Sequence, residues 1–295
     1  MFEPKWKTTL KALLYLSPAL IIIATFVIYP MFRSVWISFF RDYNIFKHTG
    51  TGFGLDNYKE VLTDGRFILA LKNTTIYTIV VVPVSMAIAL FSAVLLNHKM
   101  KGMRFFETLY FLPYITNLIA IGLAFQFIFN STYGILNKVL GVFGIDSIQW
   151  LNDPKYSLPA LIIFGIWSGL AFKIVVFLAG IQGINKQYYQ AARIDGTSRW
   201  RTFTKITMPL LSPMIFYIAI ISFIGALKTY VQVVGLYGNT PGPANTAMTI
   251  VYYVYDKFYG ANEPPIAAAA SVILFLIILV FTFIQLKVSK KRVQY

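Results

Sequence analysis

The chain of 295 residues has no cysteine and only two histidines, His48 and His98, far apart in sequence. The first absence excludes a disulfide framework and a thiolate metal site, and the second leaves no ligand spacing for an imidazole-bound metal. Charge is also scarce. Asp, Glu, Lys and Arg make up 13% of the residues, where a soluble domain carries about a quarter. Acidic residues are the scarcest, 11 against 26 basic ones. Nowhere does the chain read Gly-x-x-x-x-Gly-Lys-Ser/Thr, so a phosphate-cradling loop of that type is excluded.

What fills the chain is apolar: 57% of its residues are hydrophobic. Runs of the length that crosses a bilayer, each followed by a short polar stretch, predict transmembrane helices. Six spans are expected, at 10–37, 71–96, 105–129, 157–183, 207–236 and 265–287, within an all-α integral membrane protein. An even number places both termini on one side. That side holds fifteen basic residues, among them Lys5, Lys7, Lys11, Lys99, Lys101, Arg104, Lys287 and Lys290, against the acids Glu3, Glu107 and Asp195. The asymmetry identifies it as cytoplasmic by the positive-inside rule. The net charge of +15 is thus a topology signal in contact with membrane lipid, not a nucleic-acid footprint. The first span is too long for a cleaved signal peptide and lacks a small-residue cleavage site after it, so it is expected to stay as a helix. Pro18 sits near one end, and Tyr29-Pro30 is expected to close or kink its far part.

The external segments hold no independent soluble domain. In 38–70, Gly50, Gly52 and Gly54 are expected to break the backbone before Leu55-Asp56-Asn57-Tyr58, with Asp56 or Asn57 capping a short helix at Tyr58–Leu62. In 130–156, the apolar positions Ile135, Leu136, Val139 and Leu140 suit a short helix on the membrane surface. In 237–264, Gly and Pro precede an aromatic run that includes Tyr252, Tyr253, Tyr255, Phe258 and Tyr259.

The polar stretch Tyr188–Pro213, between spans four and five, has the most telling spacing. Gln190-Ala191-Ala192 is followed three residues later by Gly196, and nine further residues lead to Ile206 and then Met208-Pro209. The alanine-rich, proline-free start predicts a short helix. Gly196 is suited to positive φ and to ending it. Small residues at Ala191 and Ala192 leave room for another protein's surface, and Met208-Pro209 with Pro213 are expected to start the next membrane helix.

This pattern resembles the cytoplasmic coupling loop of the permease subunits of binding-protein-dependent ABC importers: Glu-Ala-Ala, three residues, Gly, nine residues, Ile, any residue, Leu-Pro. Gln190 stands in place of Glu and Met208 in place of Leu. Leu55-Asp56-Asn57-Tyr58, Phe111-Leu112-Pro113 and Phe177-Leu178-Ala179-Gly180-Ile181-Gln182 follow the family in the same order, so the resemblance covers most of the chain. It is similar above all to carbohydrate-uptake permeases of the maltose and glycerol-3-phosphate type. The resemblance implies a MetI-like fold with an N-terminal tail, peripheral first helix and external segment at 1–70. A permease core of five helices follows at 71–287, with a coupling loop at 184–206, and then a basic cytoplasmic tail at 288–295. It implies Tyr189, Gln190, Ala191, Ala192, Asp195, Gly196, Ile206 and Pro209 as residues that couple to an ATPase. Further implications are a separate ABC ATPase dimer that uses ATP and magnesium, a second permease subunit and an extracytoplasmic solute-binding protein. Gln190, a departure from the motif, points to a heterodimer. The chain itself needs no cofactor, and its place is the inner membrane of a bacterial-type cell.

An ionisable residue deep in a span is a functional candidate by default. Lys228 in span five, with Thr229 and Gln232 on one helical face, is the first, and the resemblance extends the solute path to Tyr252 and Tyr255. Polar groups suit sugar hydroxyls, and tyrosine rings suit a pyranose face. Lys228 is equally suited to pairing with a partner subunit, and the tyrosines to an interfacial belt. Lys173 is read as snorkelling or packing in a subunit interface, Asn117 and Gln126 as helix glue, and Asp256 and Lys257 as solvated. The function implied is import of a mono- or oligosaccharide. Alternatives are import of glycerol-3-phosphate or a related phosphorylated polyol, or ion-coupled secondary transport. The last expects internal repeats and intramembrane carboxylates, and the carboxylates here lie at span ends or in loops. A membrane enzyme would need a catalytic cluster within one leaflet, and the chain offers none.

Overall fold

The computed structural model describes residues 5–45, 47–97 and 116–292. Phe111-Leu112-Pro113, Lys99, Lys101, Arg104 and most of the third expected span lie outside those residues. Four helical stretches are long and apolar enough to cross a membrane, Thr9–Ile37, Gly65–Leu96, Pro154–Gln182 and Pro264–Ser289. A fifth is formed by Arg199–Leu210 with Ser212–Leu227, bent by 64° at Leu211. Leu118–Ile128 is the described part of span three. The chain forms two compact units, Met1–Asp64 with Val254–Ile273, and Gly65–Tyr253 with Leu274–Tyr295.

In the first unit, α1 (Lys5–Ile23) runs through a π-turn (Ala24–Ile28) into α2 (Tyr29–Ile37). Of the two outcomes expected at Tyr29-Pro30, closing or kinking, the helix does not close there. Pro30 has no N–H for the carbonyl one turn back, and the helix absorbs this by widening: the Tyr29 N–H reaches the Ala24 carbonyl. The most apolar window of this span is wholly unburied. The glycines expected to break the backbone instead build a hairpin, β1 (Phe40–Asn44) against β2 (Thr49–Phe53). A Cβ on Gly50 would strike the Phe40 and Tyr43 rings, so glycine is what lets those aromatics lie across the strand. Phe53 packs with Trp36, Phe39 and Phe40 at ring separations of 5.4–6.0 Å.

Helix α3 covers Asp56–Thr63, and neither Asp56 nor Asn57 caps it: Leu55 is the capping residue and offers no side-chain bond. Asn57 is buried, and its amide donates to the Ser38 and Phe40 carbonyls at 2.8 and 2.7 Å. Lys257 is not solvated either. Its ammonium lies 2.7 Å from Glu263 and 3.9 Å from Asp64, with the side chain only 14% exposed.

The second unit is built on α4 (Gly65–Leu96), α5 (Leu118–Ile128), α6 (Ile135–Val142), α7 (Pro154–Ser168), α8 (Leu170–Gln182), α9 (Lys186–Ile194), α10 (Arg199–Thr202), α11 (Met208–Leu210), α12 (Ser212–Leu227) and α13 (Val231–Tyr237). Helix α14 (Ile250–Tyr255) and α15 (Pro264–Arg292) each contribute to both units. Small residues set the packing, as membrane helices require. Ala89 and Ala93 of α4 let Ile174, Phe177, Leu178 and Ile181 of α8 close in, with Leu211 and Ile218 completing the cluster. Gly122 and Gly235 bring α5 and α13 together: a Cβ on Gly122 would lie 2.6 Å from the Gly235 Cα. Gln126 does act as glue here, donating to the Gly235 carbonyl at 3.2 Å, whereas Asn117 caps α5 through the Ile119 N–H. The short helix expected from Ile135, Leu136, Val139 and Leu140 is α6; Ile135 and Val139 are exposed, Leu136 and Leu140 half-buried.

Candidate functional site

The first region of interest is the polar stretch after α8. Asn185 starts α9 by accepting from the Gln187 N–H at 2.9 Å. The helix closes as a Schellman motif: the Gly196 N–H reaches the Arg193 carbonyl at 3.1 Å, and the Thr197 N–H reaches Ala192 at 2.9 Å. Gly196 has φ of +65°, the left-handed geometry expected of it. Asp195 is the C-cap residue of α9 and is exposed.

The two alanines part company. Ala191 is exposed and Ala192 is buried, so only Ala191 leaves room for another surface. Ala192 instead seats α9 on its own chain. The Tyr189 hydroxyl meets the Thr207 hydroxyl at 3.1 Å. Gln190, Lys186, Arg193 and Arg199 line an open groove of about 930 Å³ together with Asn97, just past the end of α4. Ile194 and Trp200 stand out from this region, 86% and 73% exposed. Large apolar side chains that exposed on a basic loop mark a surface made to be covered.

Pro213 stands in the first turn of α12, as expected, but the chain becomes helical again much earlier. The helix restarts at Ser198, which caps α10 by accepting from the Arg201 N–H, well before Met208-Pro209. As at Pro30, the proline is preceded by a π-turn, Phe203–Thr207, closed from Met208 N–H to the Phe203 carbonyl. Ile206 lies in that turn and Pro209 in α11. Leu211, fully buried, is the corner from which α12 departs.

The far end of α12 reaches the second region. A cavity of about 370 Å³ is lined by Tyr77, Val81 and Val82 of α4, Leu118, Gly165, Ser168, Gly169, Phe172 and Lys173, then Ile221, Ser222, Gly225 and Ala226 of α12, with Thr229 and Gln232. The expected single helical face does not exist. Helix α12 ends at Leu227 and α13 begins at Val231, with Tyr230 at φ −142° between them. Thr229 is buried, its carbonyl accepting from the Thr249 hydroxyl at 2.7 Å, while Lys228 is exposed and outside the cavity. Tyr252 is buried and donates to the Asn239 carbonyl at 2.6 Å, also away from the cavity. Tyr255, half exposed, packs at a tilt against Tyr259, ring centroids 4.9 Å apart, in the first unit. Lys173 does not snorkel; it is buried, 6% exposed, and faces the cavity.

The family of binding-protein-dependent transport system inner membrane components matches residues 83–294. The chain belongs to this family. The permease is 33% identical to the lactose transport system permease protein LacF of Rhizobium radiobacter, over 95% of the chain and 94% of that protein. It is 30% identical to the trehalose/maltose transport system permease protein MalF of Thermococcus litoralis, over 98% and 96% respectively. A solved bacterial ABC transporter involved in import of the acidic polysaccharide alginate superposes with a TM-score of 0.84 and 25% identity, covering 99% of the permease and 100% of that chain. Membership establishes a multi-pass inner-membrane transport subunit. The matched residues contain both the α9 region and the lysine-bearing wall of the cavity.

Proposed function

We propose that the chain forms half of the translocation path of an ATP-driven importer for a mono- or oligosaccharide, and that α9 receives the push of a separate ATPase dimer. One observation carries this reading: α9 is pinned through Tyr189 to Thr207, and the same continuous run leads through buried Leu211 into α12, whose far end walls the cavity. A displacement of α9 therefore has a short mechanical route to the groups that would surround a solute. Ile194 and Trp200 supply the apolar contact for the ATPase, and Arg193, Arg199 and Arg201 the charge-assisted bonds. Tyr77, Ser168, Ser222, Thr229 and Gln232 offer hydroxyl and amide groups, and Phe172 a ring, which is the chemistry of sugar recognition.

The names of the relatives support a saccharide over a phosphorylated polyol: lactose, trehalose or maltose, and, for a permease of Halalkalibacterium halodurans, arabinooligosaccharides. The partners are a second permease completing the path, the ATPase dimer, which binds ATP and magnesium, and an extracytoplasmic binding protein. The permease performs no covalent chemistry of its own. Both termini and α9 lie in the cytoplasm, following the basic clusters beside them.

The test is purification of the chain in detergent with whatever accompanies it, followed by ATPase assay with saccharides and the loaded binding protein. Recovery of an ATPase dimer and a second permease, with turnover stimulated by a saccharide, is the expected result. A chain that purifies alone and transports after reconstitution would overturn the reading.

A further inference from the structure

The cavity contains one feature that a site for a neutral sugar does not need. Lys173 projects from α8, otherwise the apolar sequence LAFKIVVFLAGIQ, and it is buried against the cavity. Every other group lining the cavity is uncharged, and no Asp or Glu is among them. Among the described residues, none forms an ion pair or a hydrogen bond with the Lys173 ammonium. A buried ammonium without a counter-charge is strongly unfavourable, whereas Met or Leu would fill the same volume at no electrostatic cost.

The backbone makes room for this ammonium. The span that contains it is interrupted between α7 and α8 at Gly169. A Cβ at Gly169 would come within 2.7 Å of the Lys173 Nζ. The ammonium thus occupies the space that a side chain at the interruption would take, at the cavity wall.

We propose that Lys173 is a charge-reading group of the solute cavity, and that the imported saccharide carries a carboxylate, as a uronic acid residue does. This rests on the saccharide-importer reading above. The carboxylate supplies the counter-charge that no described residue provides, and the bond forms only while the solute passes. The neutral donors and acceptors around it, Tyr77, Ser168, Ser222, Thr229 and Gln232, take the hydroxyls. A permanent partner for Lys173 would instead obstruct the cavity.

The experiment uses the whole purified importer, with its binding protein, reconstituted in liposomes. ATPase stimulation is measured with oligogalacturonates, oligomannuronates and oligoguluronates, and with neutral galactose and mannose oligomers of the same length, for the native chain and for Lys173→Met, Lys173→Gln and Lys173→Arg. The expected result is stimulation by an acidic oligomer that falls roughly tenfold or more in the Met and Gln forms, the loss expected for one charge-assisted bond, and is retained by Arg. Equal stimulation of native and Met forms by a neutral oligomer overturns the proposal and leaves the importer reading intact. Loss of the second permease from the purified Met form also overturns it, because Lys173 would then belong to a subunit ion pair. If no saccharide of either kind stimulates the native complex, the importer reading itself fails.

Discussion

The Tyr189 hydroxyl lies 3.1 Å from the Thr207 hydroxyl, so the short helix α9 is fastened to the π-turn that leads into the fifth span. Thr207 is buried, and Tyr189 is the side chain of α9 that reaches it. Tyr189→Phe removes this one neutral bond, worth about 1 kcal/mol, and keeps the ring. The variant should accumulate and assemble normally while solute-stimulated ATPase falls a few-fold. Thr207→Val should have the same effect, and the double variant should add little, as expected for two residues of one contact. Full additivity in that cycle would show that the pair does not transmit the push.

Gly196 offers a test of the other end of α9. Its φ is +65°, yet a Cβ there would meet nothing within 4 Å, so any effect of substitution comes from the backbone alone. Valine at this φ is strained by about 1–2 kcal/mol or more, whereas asparagine visits this region readily. Gly196→Val should therefore lose the Schellman closure and much of the bound ATPase, with membrane insertion unchanged. Gly196→Asn should retain both. Equal ATPase recovery with Val, Asn and Gly would show that the docking surface does not depend on how α9 ends.

The contrast between these two residues and the cavity shows what a sequence makes legible. Caps and left-handed turns are local, so Gly196 and the short helix before it could be read from spacing alone. Four of the spans could be read too, because apolar length is itself the signal. The break between Leu227 and Val231 has no Gly or Pro to mark it, and the run Ala226–Gln232 reads as unbroken helix. Lys228 and Thr229 therefore looked like neighbours on one face and are not. The importance of Lys173 was hidden for a different reason. Helical periodicity tells which residues share a face, but not that α4 and α12 converge over that face to bury it. The one available hint was the glycine four residues earlier.

The approach of α5 to α13 predicts a graded glycine series. A Cβ on Gly122 would lie 2.6 Å from the Gly235 Cα, where only backbone could yield. On Gly235, the tightest neighbour would be the Leu118 carbonyl oxygen at 3.2 Å; on Gly225, nothing lies within 4 Å. Overpacking against backbone costs about 1–3 kcal/mol or more, while alanine in an open helical position is favoured over glycine by about 1 kcal/mol. Thermal unfolding in detergent should rank Gly122→Ala well below Gly235→Ala, with Gly225→Ala at or above the native chain. A destabilised Gly225→Ala would mean that the cavity wall is tighter than described.

Asn137 makes the sharpest prediction for the segment after α5. Its buried amide donates toward the Ile148 carbonyl at 2.9 Å and the Ser147 hydroxyl at 3.1 Å, with the Asn130 and Ser131 carbonyls at 3.4 and 3.3 Å. Its oxygen accepts from the Ile148 N–H at 3.2 Å and from the Trp150 indole at 3.0 Å. One side chain thus ties together the two ends of the loop that carries α6. Asn137→Ala leaves several buried groups unmet at about 1–3 kcal/mol each, and should expose 143–153 to protease and alter Trp150 fluorescence. Asn137→Asp keeps the acceptor and places a carboxylate against carbonyl oxygens, so it should be at least as damaging as Ala. A native cleavage pattern for Asn137→Asp would assign the residue's role to its acceptor bonds with Ile148 and Trp150, and would remove the donor bonds from the account.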